Sequence, residues 1–234
     1  MTDTKTTKTM LYQHMRLEIL STRMEPGADI DEAALSAEFN LSRTPMREVL
    51  RQLAGEGYVT LRENRTPRVA DMSFSTMRDF FVAAPMIYAA VLRLAAQNAR
   101  PGQITALKAA QEAFRATLRK GTPIDRALAN NRFHEITGEM AGNIYIAPSF
   151  NRLLIDHARI GTTFYQPRSN EMAGNLDKAS HQHDDIIAAI EAGDEDRAAQ
   201  LADDHWALSR GQIEMFALPE GLDIPLGQLT RTTG

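Results

Sequence analysis

Leu41-Ser42-Arg43-Thr44-Pro45-Met46-Arg47-Glu48-Val49-Leu50-Arg51-Gln52-Leu53 sorts its apolar and basic residues onto different faces of one helix. Met46, Val49, Leu50 and Leu53 recur at three- and four-residue spacing and form an inward stripe, while Arg43, Arg47 and Arg51 occupy successive fourth positions on another face. Pro45 suits the first turn, where its missing N–H leaves no intrahelical bond unmade, and Ser42 or Thr44 is the expected cap. With Arg43, Thr44 and Arg47 near its start, such a helix presents these side chains to base edges and phosphates if it enters a major groove. A row of arginines is equally compatible with a plain solvated face, so the flanking sequence has to decide.

Upstream, Ile30 to Phe39 reads as a short helix capped by Asp31, with Ala34, Leu35 and Phe39 turned inward. Asn40 then supplies a residue that enters the left-handed region readily, as a tight helix-to-helix turn requires. Downstream, Gly55 and Gly57 close the long helix, and Tyr58–Leu61 and Pro67–Ala70 read as short strands joined by Arg62-Glu63-Asn64-Arg65-Thr66. Helix, turn, arginine-lined helix and small hairpin together predict a winged helix-turn-helix.

The stretch from Leu35 to Val59, with its Ser42-Arg43-Thr44-Pro45-Met46-Arg47-Glu48 core, resembles the DNA-binding domain of GntR-superfamily transcription regulators. The resemblance is to the FadR branch, in which arginines at the positions of Arg43 and Arg47 contact operator bases and wing residues reach the minor groove. It implies a DNA interface of Ser42, Arg43, Thr44, Arg47 and Arg51, with Asn64 and Arg65 from the wing. Two departures stand out: Ala33 occupies a position where relatives often carry a polar or basic residue, and Glu63-Asn64-Arg65 replaces the usual glycine-bearing wing tip.

The 234 residues suffice for one large or two modest domains, with 43% hydrophobic and 24% charged content. Read from the sequence, no apolar run approaches the roughly 20 residues of a membrane span, and the polar N-terminus is not followed by an apolar targeting segment. A soluble, cytoplasmic protein without a membrane partner is therefore expected. The absence of cysteine removes disulfides and thiolate chemistry and is compatible with a reducing cytosol. A net charge of −4 is unusual for a DNA binder, but Ser42 to Arg68 holds six arginines against three glutamates, a local +3. An acidic remainder limits non-specific adhesion and makes binding depend on a homodimer engaging two half-sites.

In chain order, residues 1–8 are expected to be a flexible tail and 9–71 the DNA-binding domain, opening with a helix from Thr9 to Thr22 that uses Met10, Leu11, Met15, Leu17, Ile19 and Leu20. Residues 72–218 read as helix throughout, with segments near 73–99, 101–119, 123–141, 144–164, 173–191 and 194–216. Pro101 and Pro123 suit first-turn positions, Thr122 is a cap, and Pro85 should kink or break its helix. Residues 219–234 form a tail without periodicity. The fold class is mainly α: a winged helix-turn-helix followed by an all-α bundle of about six helices, which resembles the FCD ligand-sensing domain of the same branch.

Asn130 and His134 lie four residues apart and share a helix face, His183 opens a later segment, and His205 sits on the last helix. Three imidazoles and an amide oxygen from three helices can converge on a divalent first-row ion such as zinc or nickel. With six histidines in the chain, ordinary packing is the competing reading. FCD domains commonly carry Asp-x-x-x-His, then a helix-opening His, then a final-helix His. That pattern implies Asn130, His134, His183 and His205 as ligands, with Asn130 replacing the aspartate. A neutral amide should lower metal affinity and favour an anionic ligand, so a small carboxylate effector is expected, with Arg159 as a candidate clamp or, alternatively, a surface residue. His157 is read as structural and His181 as outer-layer or surface. The resulting function is a ligand-responsive transcription regulator, usually a repressor in this family and not an enzyme. The alternatives are a metal-dependent hydrolase, which lacks a His-Glu-x-x-His motif and a general base, and a sensor of the ion itself.

Overall fold

The computed structural model describes residues 4–167 and 170–217 in two compact units that divide between Ser73 and Phe74. The first holds helices α1 (Thr4–Leu20), α2 (Glu32–Phe39) and α3 (Arg43–Glu56) and strands β1 (Val59–Thr60) and β2 (Arg68–Val69). Among the described residues of the expected tail, Thr4 to Lys8 are helical instead, because Thr9 Oγ1 donates to the Lys5 carbonyl and Lys8 Nζ reaches Glu48 at 2.9 Å. Leu11, Met15 and Ile19, spaced by four, form the buried face of α1, while Met10 and Leu17 point to solvent.

Asp31 caps α2 by accepting from the Ala33 and Ala34 amides, and Asn40 ends it in the left-handed conformation at φ 49°. Of the residues expected to face inward, Leu35 is buried and Phe39 lies against the His14 ring, but Ala34 is exposed. Helix α3 begins after Ser42, whose backbone is extended and whose hydroxyl makes no capping bond, and stops at left-handed Gly57. Met46, Val49, Leu50 and Leu53 are its buried residues. The antiparallel hairpin pairs Val59 with Val69 and Thr60 with Arg68. Bonds from Gly27 N to Val69 O and from Val69 N to Ala28 O add the segment after α1 as a third partner.

The second unit contains α4 (Phe74–Asn98), α5 (Pro101–Lys120), α6 (Pro123–Ala141), α7 (Ala147–Phe164), α8 (Asn170–Ala192) and α9 (Glu195–Ala217). Pro101 and Pro123 occupy opening positions, and Thr122 and Asp125 satisfy each other's backbone in a capping box. Helix α4 runs unbroken through Pro85, which leaves the carbonyl of residue 81 without its usual amide donor. By length and composition alone α4 is apolar enough to cross a membrane, contrary to the sequence expectation; its alanines and single tyrosine dilute the run without charging it. Here its length serves the core: Phe80, Phe81, Ala84, Tyr88, Val91, Leu92, Ala95 and Ala96 are buried. The expected 219–234 tail lies outside the described residues.

Candidate DNA-reading face and metal centre

In the first unit, burial of the opposite stripe turns Ser42, Arg43, Thr44, Arg47 and Arg51 outward, and all five are exposed. Among the described residues, no carboxylate lies within ion-pair distance of Arg43, Arg47 or Arg51, whereas Glu48 is held by Lys8 and Glu56 by Tyr12. The acidic residues of α3 are thus engaged by α1, leaving the arginines uncompensated. Asn64 is exposed at φ 54° in the turn between the strands, and Arg65, beside it, donates its backbone N–H to the Arg62 carbonyl. Asn tolerates this conformation, which explains how the wing turns without a glycine.

In the second unit, α6 carries Asn130 and His134, α8 carries His183, and α9 carries His205. One ligand atom from each of the three histidines lies within 4.8 Å of the others, and all three rings are buried. Asn130, at 3% exposure, has its Oδ1 without a hydrogen-bond partner, as do both His134 ring nitrogens and His183 Nε2. A buried polar atom left unmade costs about 1–3 kcal/mol, so such a concentration is anomalous unless a ligand completes it. Three imidazole nitrogens and an amide oxygen match the donor preference of zinc and neighbouring ions, and the residues present therefore fit a divalent metal.

Burial holds the imidazoles neutral, the state in which they ligate. Desolvation, reinforced by neighbouring histidines, pushes His134 and His183 well below the usual histidine range, and burial takes His205 down to about 3. The rings are held in place by packing and by amides. His183 stacks on Phe133 with centroids 3.8 Å apart and planes 7° from parallel. Its Nδ1 is 2.9 Å from Gln111 Oε1, and His205 Nδ1 is 2.9 Å from Gln182 Oε1.

His157, expected to be structural, borders this centre. Its Nδ1 is 2.6 Å from the Tyr88 hydroxyl and its ring centroid is 5.2 Å from that of His134. Burial lowers it to about 4 and raises the Tyr88 phenol. Trp206 packs against Tyr88 and His157 with its indole Nε1 buried and unpartnered. Arg159 is not a surface residue: its side chain is fully buried, and Nη1 donates to Asp156 Oδ1 at 3.0 Å. His181 is exposed, bonded to the Asp177 carbonyl. Sequence reasoning missed Gln111, Gln182 and Trp206; the last two had a local signal, adjacency to His183 and His205.

Residues 7–69 match the family described as bacterial regulatory proteins, gntR family, and residues 80–208 match the FCD domain. The chain belongs to the gntR family of bacterial regulatory proteins, in its FCD-containing form. Among relatives, a probable D-xylose utilization operon transcriptional repressor of Paenarthrobacter nicotinovorans is 26% identical, covering 88% of this chain and 90% of the relative. The Escherichia coli K12 HTH-type transcriptional repressor RspR is 25% identical over 83% of each chain. Among solved structures, E. coli McbR/YncC superposes with a TM-score of 0.74 at 14% identity, covering 93% of this chain and all of the other, which establishes a shared fold. The gntR-family chain is accordingly a transcription regulator, and the hydrolase alternative falls with that assignment.

Proposed function

We propose that this gntR-family regulator is an operator-binding repressor whose helical domain holds a divalent ion, zinc or another first-row metal, together with a small carboxylate effector. The carrying observation is the convergence of His134, His183 and His205 from three helices, with buried, unpartnered atoms on His134, on His183 and on Asn130 one turn before His134. These four would hold the ion, which when bound supplies a fixed positive charge in the domain interior. Every donor is neutral, so nothing in the set offsets that charge. This favours an anionic ligand completing the site, and it disfavours a sensor of the bare ion.

The groups available to such an anion are polar and interior. The unpartnered Trp206 N–H and the Tyr88–His157 pair border the same rings. Arg159 is the candidate cation, with Asp156 as the resident partner whose bond an incoming carboxylate would share or replace. At the other end of the chain, Arg43, Thr44 and Arg47 would read base edges, and Ser42, Arg51, Asn64 and Arg65 would complete contacts to backbone and minor groove. A homodimer would present two such faces to two half-sites, in the cytoplasm where the operator lies. The effector acts by favouring arrangements of the dimer that span both half-sites less well.

The test is an operator titration with the metal-free protein, with zinc, and with zinc plus a panel of small carboxylates. Zinc with one carboxylate should weaken operator binding, and the operator should weaken binding of that carboxylate to the zinc-loaded protein by the same factor, because coupling is reciprocal. Failure of the protein to take up any first-row ion, or operator affinity indifferent to every combination, would overturn the proposal.

A further inference from the structure

The amide of Gln111 has its orientation fixed from outside the histidine cluster. Its Nε2 donates to the Ser180 carbonyl at 2.7 Å and to Asp184 Oδ1 at 3.2 Å, with the Ser180 hydroxyl at 3.3 Å. A carbonyl and a carboxylate only accept, so rotating the amide by half a turn would set its oxygen against two acceptors. Oε1 must then face His183 Nδ1 at 2.9 Å, and because an amide oxygen cannot donate, that nitrogen must carry the ring proton.

From this we infer that Gln111 is a positioning residue that locks His183 as the Nδ1–H tautomer and aims the Nε2 lone pair into the donor cluster. His183 Nε2 is buried and without a partner, as a lone pair awaiting a Lewis acid would be. The Phe133 ring, stacked at 3.8 Å, blocks tilting of the imidazole, so tautomer and plane are both fixed before anything binds. Gln182 repeats the device more loosely, accepting from His205 Nδ1 while its own Nε2 reaches the Asp204 carbonyl at 3.4 Å.

The anchor of Gln111 reaches the surface. Asp184 pairs with Arg115, which also pairs with Glu112, and these residues line an open groove between α5 and α8 with Lys108 and Glu191. An outer-layer glutamine, unlike a carboxylate, orients the ring without adding negative charge. The inference rests on the metal reading above for its purpose, but not for its first test.

That test is ring-nitrogen NMR on the metal-free full-length protein at neutral pH. His183 should carry its proton on Nδ1, and Gln111→Met should shift it to Nε2 or to a tautomer mixture. Zinc affinity, read by competition with a chromogenic chelator, should fall about 10–100-fold in Gln111→Met. A proton on Nε2 of His183 in the unsubstituted protein overturns the inference without recourse to any variant. So does Gln111→Met with unchanged tautomer and zinc affinity. Should the unsubstituted protein refuse zinc while keeping the Nδ1 proton, the positioning role of Gln111 stands and the metal reading fails.

Discussion

His183 has two nitrogens with opposite duties, one satisfied by Gln111 and one buried with nothing to bond, and both ring nitrogens of His134 and the Oδ1 of Asn130 are likewise buried without a partner. If these residues hold an ion, His183→Ala should abolish metal uptake seen by elemental analysis while leaving metal-free operator binding unchanged, since His183 and α3 belong to separate units. Asn130→Asp should tighten uptake by adding a charged oxygen donor; equal or weaker binding would remove position 130 from the ligand set. Acid provides an independent probe. Burial lowers His157 to about 4 and His205 to about 3 from an unfolded value of 6.5, so the unfolded chain binds more protons between those limits. The stability these groups contribute is fully present above about pH 6.5 and is lost as pH falls toward the folded values. The metal-free second unit should therefore melt at progressively lower temperature below pH 6.5, and a melting temperature that is flat or rises on acidification would contradict the buried, neutral assignment.

At the scale of elements, α6 and α7 approach where α6 offers Gly138, one turn after His134. A Cβ there would lie 2.7 Å from two ring carbons of Phe150, a residue itself packed on Tyr88 with centroids 5.0 Å apart. Gly138→Ala should cost about 1–3 kcal/mol in denaturant unfolding despite raising helix propensity, because the buried Phe150 ring would have to shift against its neighbours. A neutral or stabilising result would mean the contact is looser than its geometry. Much of this architecture was legible in the chain. Asn40 and Gly57 take the left-handed conformations their positions required, and Thr122-Pro123 opens α6 as such a pair should. Period and punctuation are local, and so are caps. The burial of Arg159 was not legible by period alone, although Asp156 three residues before it, in a run where nearly every residue is buried, was an available sign. Helix α4 was underestimated because its apolar character is spread over alanines instead of concentrated in a leucine run. Gln111 has no sequence signature, and Gln182, although next to His183, matters through His205: each acts on a residue of another helix, a relation only tertiary structure creates.

For the whole molecule, a chain of net charge −4 grips DNA only if charge is partitioned, and the region from Ser42 to Arg68 concentrates six arginines against three glutamates. Lys8 and Tyr12 sharpen that partition by engaging Glu48 and Glu56, a cooperation between α1 and α3 that the sequence did not announce. The gntR-family architecture then joins this reading face to an interior cluster of neutral donors, and the proposed regulation is a free-energy coupling between the two. The most direct test is a fluorescence anisotropy titration of an operator fragment, recovered from the source genome by binding selection, against random duplex at moderate ionic strength, using the unsubstituted protein and Arg47→Ala. Preference for the operator is expected, with Arg47→Ala losing about 1–3 kcal/mol of it while retaining its fold by circular dichroism. Equal affinity of the unsubstituted protein for operator and random duplex, or full preference retained without the Arg47 guanidinium, would contradict the account.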